Sequence, residues 1–262
     1  MNDKQPLRLM AVLAHPDDES LGMGGTLVRY AREGAAVHLV TATRGERGRC
    51  DHVTPRPDDE EVGTIRESEL RSAASILGLE SLSFLGYLDG ELDRADPAAA
   101  TARITERILH VRPHVVVTFA HDGSYGHPDH IAISQFTTAA VTRAAARGHA
   151  VPKLYYLAWP QSKWDAYQAA LKQLVSRVGD QIRKAQPWPD WALTTVLDTR
   201  DTWQTEWKAV SAHRSQVSGY EQLKNLPHDL HQALWGTQSF YRALSLVNGG
   251  PGVETDLFEG LR

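Results

Sequence analysis

Short apolar runs rich in β-branched residues recur along the first half of the chain, at Arg8–Ala14, Val37–Ala42, Leu82–Leu85, Val115–Phe119 and Leu154–Trp159. Between them lie segments with helical spacing and good helix formers, roughly residues 19–33, 60–78, 97–111 and 129–147. Strands joined in this way by helices pair in parallel, and a parallel sheet needs helices on both faces. The pattern therefore predicts an α/β fold, a doubly wound, Rossmann-like parallel sheet. Two helix starts are marked locally. Asp96–Pro97 reads as an N-cap followed by proline at the first helical position, and Asp58, Asp59, Glu60 and Glu61 complement the positive end of a helix dipole.

The second half changes character. All seven tryptophans fall at or after residue 159, and Gln186–Pro187–Trp188–Pro189–Asp190 reads as a loop because paired prolines do not fit a helix interior. A strand over Ala192–Asp198 and a helix from about Thr202 to Gln216 follow. The expectation is a single domain over 1–262, with a core of about 1–158 and a Trp-rich extension of about 159–262 packed on it. A formal charge of −4 argues against nonspecific nucleic-acid binding. No apolar run approaches the roughly 18–20 residues needed to span a bilayer. The polar start does not read as a signal peptide, so a cytoplasmic protein with no membrane or nucleic-acid partner is expected. Homo-oligomers remain open. The single cysteine, Cys50, excludes an intrachain disulfide and any multi-cysteine metal site, so a metal here would be held by imidazole and carboxylate.

Two motifs supply those groups. The first strand runs into Ala14–His15–Pro16–Asp17–Asp18–Glu19, and the Val115–Phe119 strand leads to Gly126–His127–Pro128–Asp129–His130. Ligands of doubly wound sheets bind at the carboxyl ends of strands where the strand order reverses. If the fourth strand lies beside the first, both motifs open at that edge. Catalytic zinc sites commonly have three protein ligands and an open position, and His15, Asp18 and His130 make such a set. Asp17 is then placed to take a proton from water at the metal. His127 is placed to steady an oxyanion, and Asp129 to fix an imidazole tautomer. Two histidines and a carboxylate also suit Fe2+.

At these residues the sequence resembles the zinc-dependent N-acetylglucosaminyl deacetylases, the LmbE-like or PIG-L family. Its AHPDDE and HPDH signatures stand as Ala14–Glu19 and His127–His130. Further matches are the loop Thr43–Arg44–Gly45–Glu46–Arg47–Gly48, Arg66 with Glu69–Leu70, Phe84–Leu85–Gly86 leading to Asp89–Gly90, and His213–Arg214–Ser215–Gln216. The resemblance implies a metal-dependent hydrolase that releases acetate from an N-acetylglucosaminyl compound. Zn2+ would be its cofactor, bound by His15, Asp18 and His130. Asp17 would be the general base and His127 the oxyanion stabiliser. It also implies substrate contacts by Tyr125, Glu46, Arg66 and Asp89, as in the branch that makes precursors of low-molecular-weight thiols. The small-molecule partner would be an amino sugar.

An amidase of glucosaminyl thiol conjugates, a sugar-binding protein without turnover and a non-haem iron oxygenase are the competing readings. Gly22, Gly24 and Gly25 are too far from the strand for a dinucleotide loop and read as close helix–sheet packing. His213 shares a helical stripe with Trp203, Trp207 and Val210, which reads as core.

Overall fold

A computed structural model describes residues 6–50, 52–170, 175–216, 223–250 and 252–262. The polar first five residues lie outside the described residues. Strands β1 (Arg8–Leu13), β2 (Ala36–Thr41), β3 (Ser81–Phe84), β4 (Val115–Thr118) and β5 (Lys153–Leu157) form where the apolar runs were read. Helices α1 (Asp18–Arg32), α2 (Asp59–Leu77), α3 (Pro97–Val111) and α5 (Pro128–Ala146) alternate with them, and a short helical turn, α4 (Gly123–Gly126), precedes α5. Asp96 caps α3 as read, accepting from the Ala98 amide, and Asp58, read as complementing the dipole of α2, also caps it by accepting from the Glu61 amide.

The sheet has seven strands in the order β3-β2-β1-β4-β5-β9-β8. The first five are parallel, with Leu9 opposite Val37 on one side and Val115 on the other. The chain moves outward from β1 to β2 and β3, then returns to place β4 on the other flank of β1. The order therefore reverses between β1 and β4, which opens a crevice at their carboxyl ends. Both strands are apolar nearly throughout and buried, as central parallel strands are.

The C-terminal part enters the sheet as well as covering it. Strand β9 (Thr237–Ser245) pairs antiparallel with β5, and β8 (Thr195–Asp198) pairs antiparallel with β9. A separate hairpin, β6 (Val175–Val178) and β7 (Gln181–Lys184), stands outside it. Helices α6 (Gln161–Ala170), α7 (Trp203–Ala212) and α8 (His228–Trp235) surround a second apolar cluster that includes Trp164, Tyr167, Val210, Leu234 and Trp235. The helix expected over 202–216 ends at Ala212, followed by a 3-10 turn over Arg214–Gln216. No described helix is long and apolar enough to cross a membrane.

The glycines of α1 serve mainly a helix–helix contact. A Cβ at Gly24 would lie 2.8 Å from Glu206 Cγ of α7, and one at Gly25 would lie 2.9 Å from Thr199 Cβ and 2.8 Å from Glu206 Oε2. Only Gly22 meets a sheet residue, 3.3 Å from Leu157 Cδ1. The helix–sheet contact expected for all three thus holds for one, because α7 lies against α1 where the other two face outward. Gly25→Ala should lower unfolding free energy by about 1–3 kcal/mol through overpacking, read as a lower urea midpoint at constant m-value. An unchanged midpoint would mean that α7 yields without cost.

Candidate metal centre and active site

The crevice is built from two abrupt strand-to-helix turns. Past β1 the chain reaches α1 within a few residues, and Asp17, the N-cap, turns the corner with φ 101° and ψ −23°. That left-handed conformation costs a non-glycine residue about 1–3 kcal/mol and persists only where its surroundings fix it. The Asp18 carboxylate folds back, its Oδ2 accepting from the amides of His15 (2.7 Å) and Ala14 (3.2 Å). Past β4, His127 caps α5, its Nδ1 accepting from the Asp129 amide at 3.2 Å. Pro128 at the first helical position needs no such partner.

These turns bring three donors together. His15 Nδ1 lies 3.2 Å from His130 Nε2 and 3.6 Å from Asp18 Oδ2, while His130 Nε2 lies 3.4 Å from Asp18 Oδ1. Ligands about 2.0–2.1 Å from a tetrahedral ion would be separated by about 3.3–3.4 Å, so the spacing of His15, Asp18 and His130 fits a divalent metal. The other nitrogen of His15 fixes its tautomer. Nε2 donates toward Asp129 Oδ2 and Asp89 Oδ1, both at 3.1 Å, so Nδ1 is the atom that would hold a metal. Without one, burial lowers the His15 pKa but Asp129, Asp89 and Asp18 together raise it well above its ordinary value. Asp129 is fully buried and also accepts from the Gly90 amide (2.7 Å) and the Leu92 amide (3.2 Å). His130 stacks on Phe119 with ring centroids 3.9 Å apart. Other combinations of donor atoms, His15–His127–His130 and His15–Asp89–Asp129, also lie within 4.8 Å of one another. In the second, His15 Nε2 faces both carboxylates at 3.1 Å as a hydrogen-bond donor.

Electrostatics separate the carboxylates. Burial would raise the Asp18 carboxyl, but His130, His15 and the His15 amide pull it well below its ordinary range. Asp17 moves the other way: burial raises it, although Arg66 opposes. A buried carboxylate beside the triangle with raised basicity suits a general base. Burial, with His15 and His130 nearby, pushes His127 down to about 3. Its ring is therefore neutral, with the proton on Nε2 because Nδ1 accepts from an amide. Tyr125, on α4, stands edge-on to His127 and His130, with centroids 5.9 and 5.4 Å away.

Arg66, Glu46 and Asp89, expected as substrate contacts, form a wall under Asp17. Arg66 is 4% exposed and donates to Pro16 O (2.5 Å), Gly45 O (2.9 Å) and Asp17 Oδ2 (3.2 Å). The glycines of the Thr43–Gly48 loop make room for it, since a Cβ at Gly45 or Gly48 would fall 2.1 or 2.3 Å from Arg66 Nη1. Glu46 accepts from the Asp89 amide (3.2 Å) and from Arg44 Nε (3.2 Å), and Asp89 from the Arg47 amide (3.2 Å). In this structure their polar atoms are directed to the protein, which residue type and spacing alone do not show. The structure also adds residues that the sequence reading did not assign. Tyr167 of α6 is buried near Asp17 and Asp18, and Arg183 of β7 packs on Gly126, donating to its carbonyl at 3.3 Å. Nothing in their local sequence marks them, because both belong to the irregular second half.

Fold and site together define a class: a doubly wound α/β protein with a buried cluster of imidazoles and carboxylates that could hold a metal at its switch point. Residues 10–141 match the PIG-L family, described as GlcNAc-PI de-N-acetylase. The chain is 37% identical over 298 residues to a 1D-myo-inositol 2-acetamido-2-deoxy-alpha-D-glucopyranoside deacetylase of Rhodococcus jostii, covering 97% of this chain and 98% of the relative. The protein belongs to the PIG-L family. Among solved structures it resembles N,N'-diacetylchitobiose deacetylase from Pyrococcus horikoshii, with a TM-score of 0.64 at 18% identity, covering 98% of this chain and 87% of that one. It equally resembles the 4-carboxy-2-hydroxymuconate hydratase of Pseudomonas putida, with a TM-score of 0.70 at 20% identity, covering 93% and 99%. These two likenesses establish the fold, and a fold shared by a deacetylase and a hydratase leaves the chemistry to the site.

Asp129→Ala removes the acceptor that orients His15 and should weaken metal binding about 10–100-fold, measured by competition with a chromophoric chelator. Unchanged affinity would exclude Asp129 from that role.

Proposed function

We propose that this protein is a zinc-dependent deacetylase that hydrolyses the acetamide of an N-acetylglucosaminyl-inositol compound, releasing acetate and the free amine. The observation that carries this reading is the His15–Asp18–His130 triangle, with the Asp17 carboxylate next to Asp18 in the chain and held by Arg66 at 3.2 Å. The relatives' activity on a glucosaminyl inositol supplies the substrate class. Nitrogen and oxygen donors without thiolate suit Zn2+ and also Fe2+. A metal held there would supply Lewis acidity and lower the pKa of water.

The residues divide the remaining work. Asp17 takes the proton from the attacking water as its oxygen bonds to the amide carbon. His127 donates its Nε2 proton in a hydrogen bond to the carbonyl oxygen as negative charge develops there. When the carbon–nitrogen bond breaks, Asp17 returns the proton to the departing amine, which balances the hydrolysis. Tyr125 stands edge-on to both histidines, where it would meet a substrate held at the triangle. Arg66, Glu46 and Asp89 hold the wall from which Asp17 works, and they reach the sugar only where an incoming hydroxyl exchanges with one of their present partners.

The test is amine release by the zinc-loaded protein from N-acetylglucosaminyl inositol, chitobiose and free N-acetylglucosamine, with and without chelator. Chelator-sensitive release from the inositol conjugate is expected, and release from none of the three would overturn the reading. Asp17→Asn should lower kcat by about 10²–10⁴-fold with one metal per chain retained. His127→Ala should cost about 10²–10³-fold, with most of the loss in kcat. An Asp17→Asn protein of near-normal activity would remove Asp17 from the mechanism.

A further inference from the structure

The reaction described above makes no use of Glu19 or of the late His213–Arg214–Ser215–Gln216 segment, yet Glu19, His213 and Ser215 are buried polar groups. Glu19 is 1% exposed and His213 fully buried. Glu19 reaches back along the first turn of α1, its Oε2 accepting the Asp17 amide at 3.1 Å. Its Oε1 accepts from His213 Nε2 at 2.8 Å and from Ser20 Oγ at 2.5 Å. The opposite nitrogen, His213 Nδ1, is buried with no hydrogen-bond partner among the described residues. Among the described residues, the hydrogen bonding of that ring goes to Glu19 alone.

The segment that carries His213 is itself pinned. Ser215 donates its amide to Glu69 Oε1 (2.7 Å) and its hydroxyl to Glu69 Oε2 (2.6 Å), and Gln216 Nε2 donates to Arg49 O (2.7 Å). Glu69 lies on α2, the helix that also carries Arg66. Asp17 is consequently held through two separate lines. Its carboxylate is held by Arg66 from α2, and its backbone, in a left-handed conformation that is costly for a non-glycine residue, by Glu19 from α1. The 213–216 turn braces both helices.

We propose that His213 is a positioning residue that acts through Glu19 to keep the Asp17 backbone in its left-handed turn, and so aims the Asp17 carboxylate. His213 touches neither substrate nor the triangle. A packing role alone would be served by any side chain of similar bulk, whereas this role needs a hydrogen-bond donor at the position of Nε2. The inference rests on Asp17 as the general base of the proposed deacetylase for its kinetic arm, and on geometry alone for its structural arm.

The experiment compares His213→Leu, which fills the space without a donor, with His213→Gln, which restores an N–H near the Nε2 position. For each protein, hydrogen exchange of the Asp17 amide is measured by NMR on the metal-loaded full chain, alongside metal stoichiometry, melting temperature, kcat and KM. His213→Leu is expected to lose Asp17 amide protection by at least tenfold and to lower kcat by 10–100-fold, with KM and metal content unchanged. His213→Gln is expected to recover protection and to bring kcat within a few-fold of the parent. Glu19→Ala, which removes the acceptor itself, should reproduce the loss of Asp17 protection if either His213 variant folds poorly. Full Asp17 protection in both His213→Leu and Glu19→Ala, or equal losses in His213→Leu and His213→Gln, would overturn the proposal. If the parent protein releases no amine from any glucosaminyl substrate, the deacetylase reading fails while the exchange arm still decides the positioning role.

Discussion

The arrangement of the site depends on one buried interaction, the Asp129 carboxylate against His15 Nε2. A carboxylate with no solvent exposure is stable only if its charge is met by several donors, and Asp129 meets two loop amides and an imidazole. Those donors come from two places: Gly90 and Leu92 from the segment after β3, and His15 from the end of β1. Asp129 itself comes from the first turn of α5. One side chain therefore joins three chain crossings at the carboxyl edge of the sheet, and it does so while directing His15 Nδ1 toward His130 and Asp18. The strand order that puts β4 beside β1 makes this meeting possible.

The first half of the fold was legible because its signals are local. A run such as Val115–Val116–Val117–Thr118, bounded by Pro113 and followed by a capped helix, has few alternatives once parallel pairing is required. The second half was less legible, since its pairing is not local. Thr237–Ser245 mixes polar and apolar residues, and β9 acquires its place only by pairing antiparallel with β5, some 80 residues earlier in the chain. The bulge between Leu154 and Tyr155 and the buried Lys153–Glu254 pair (2.6 Å) accommodate that junction. Glu254 is also bonded by Tyr155, Thr195 and Asn248. No periodicity in sequence announces a salt bridge between a strand and a tail.

A similar division runs through the site. Residue types at three-residue spacing locate His15, Asp18, His127 and His130, because two turns at one sheet edge leave them few other places to go. Which atoms each carboxylate offers is a different matter. Arg66 and Glu46 belong to motifs read as marking a pocket, and the structure buries both, Arg66 against Asp17 and Glu46 against the Asp89 amide. Their donors and acceptors are nonetheless turned to Gly45, Pro16, Asp17 and the Asp89 amide. A sequence records that an arginine is near, whereas only the packing of the Thr43–Gly48 loop shows that its guanidinium is enclosed on the side where two glycines leave room for it.

Asp17 shows why so much of the protein is arranged around a single turn. A chain leaving a buried strand and entering a helix within a few residues must reverse sharply, and the left-handed conformation provides that reversal. Glycine would adopt it without strain, but glycine carries no base. Aspartate at this position combines the turn with the carboxylate, and the strain must then be offset nearby. The bonds from Arg66 to Pro16 O and Asp17 Oδ2, and from the Asp17 amide to Glu19, offset it. Burial of the carboxylate in this turn raises its basicity, and the Arg66 guanidinium opposes that rise. Strain, burial and catalytic competence are thus three consequences of placing an ionisable residue where the backbone favours none.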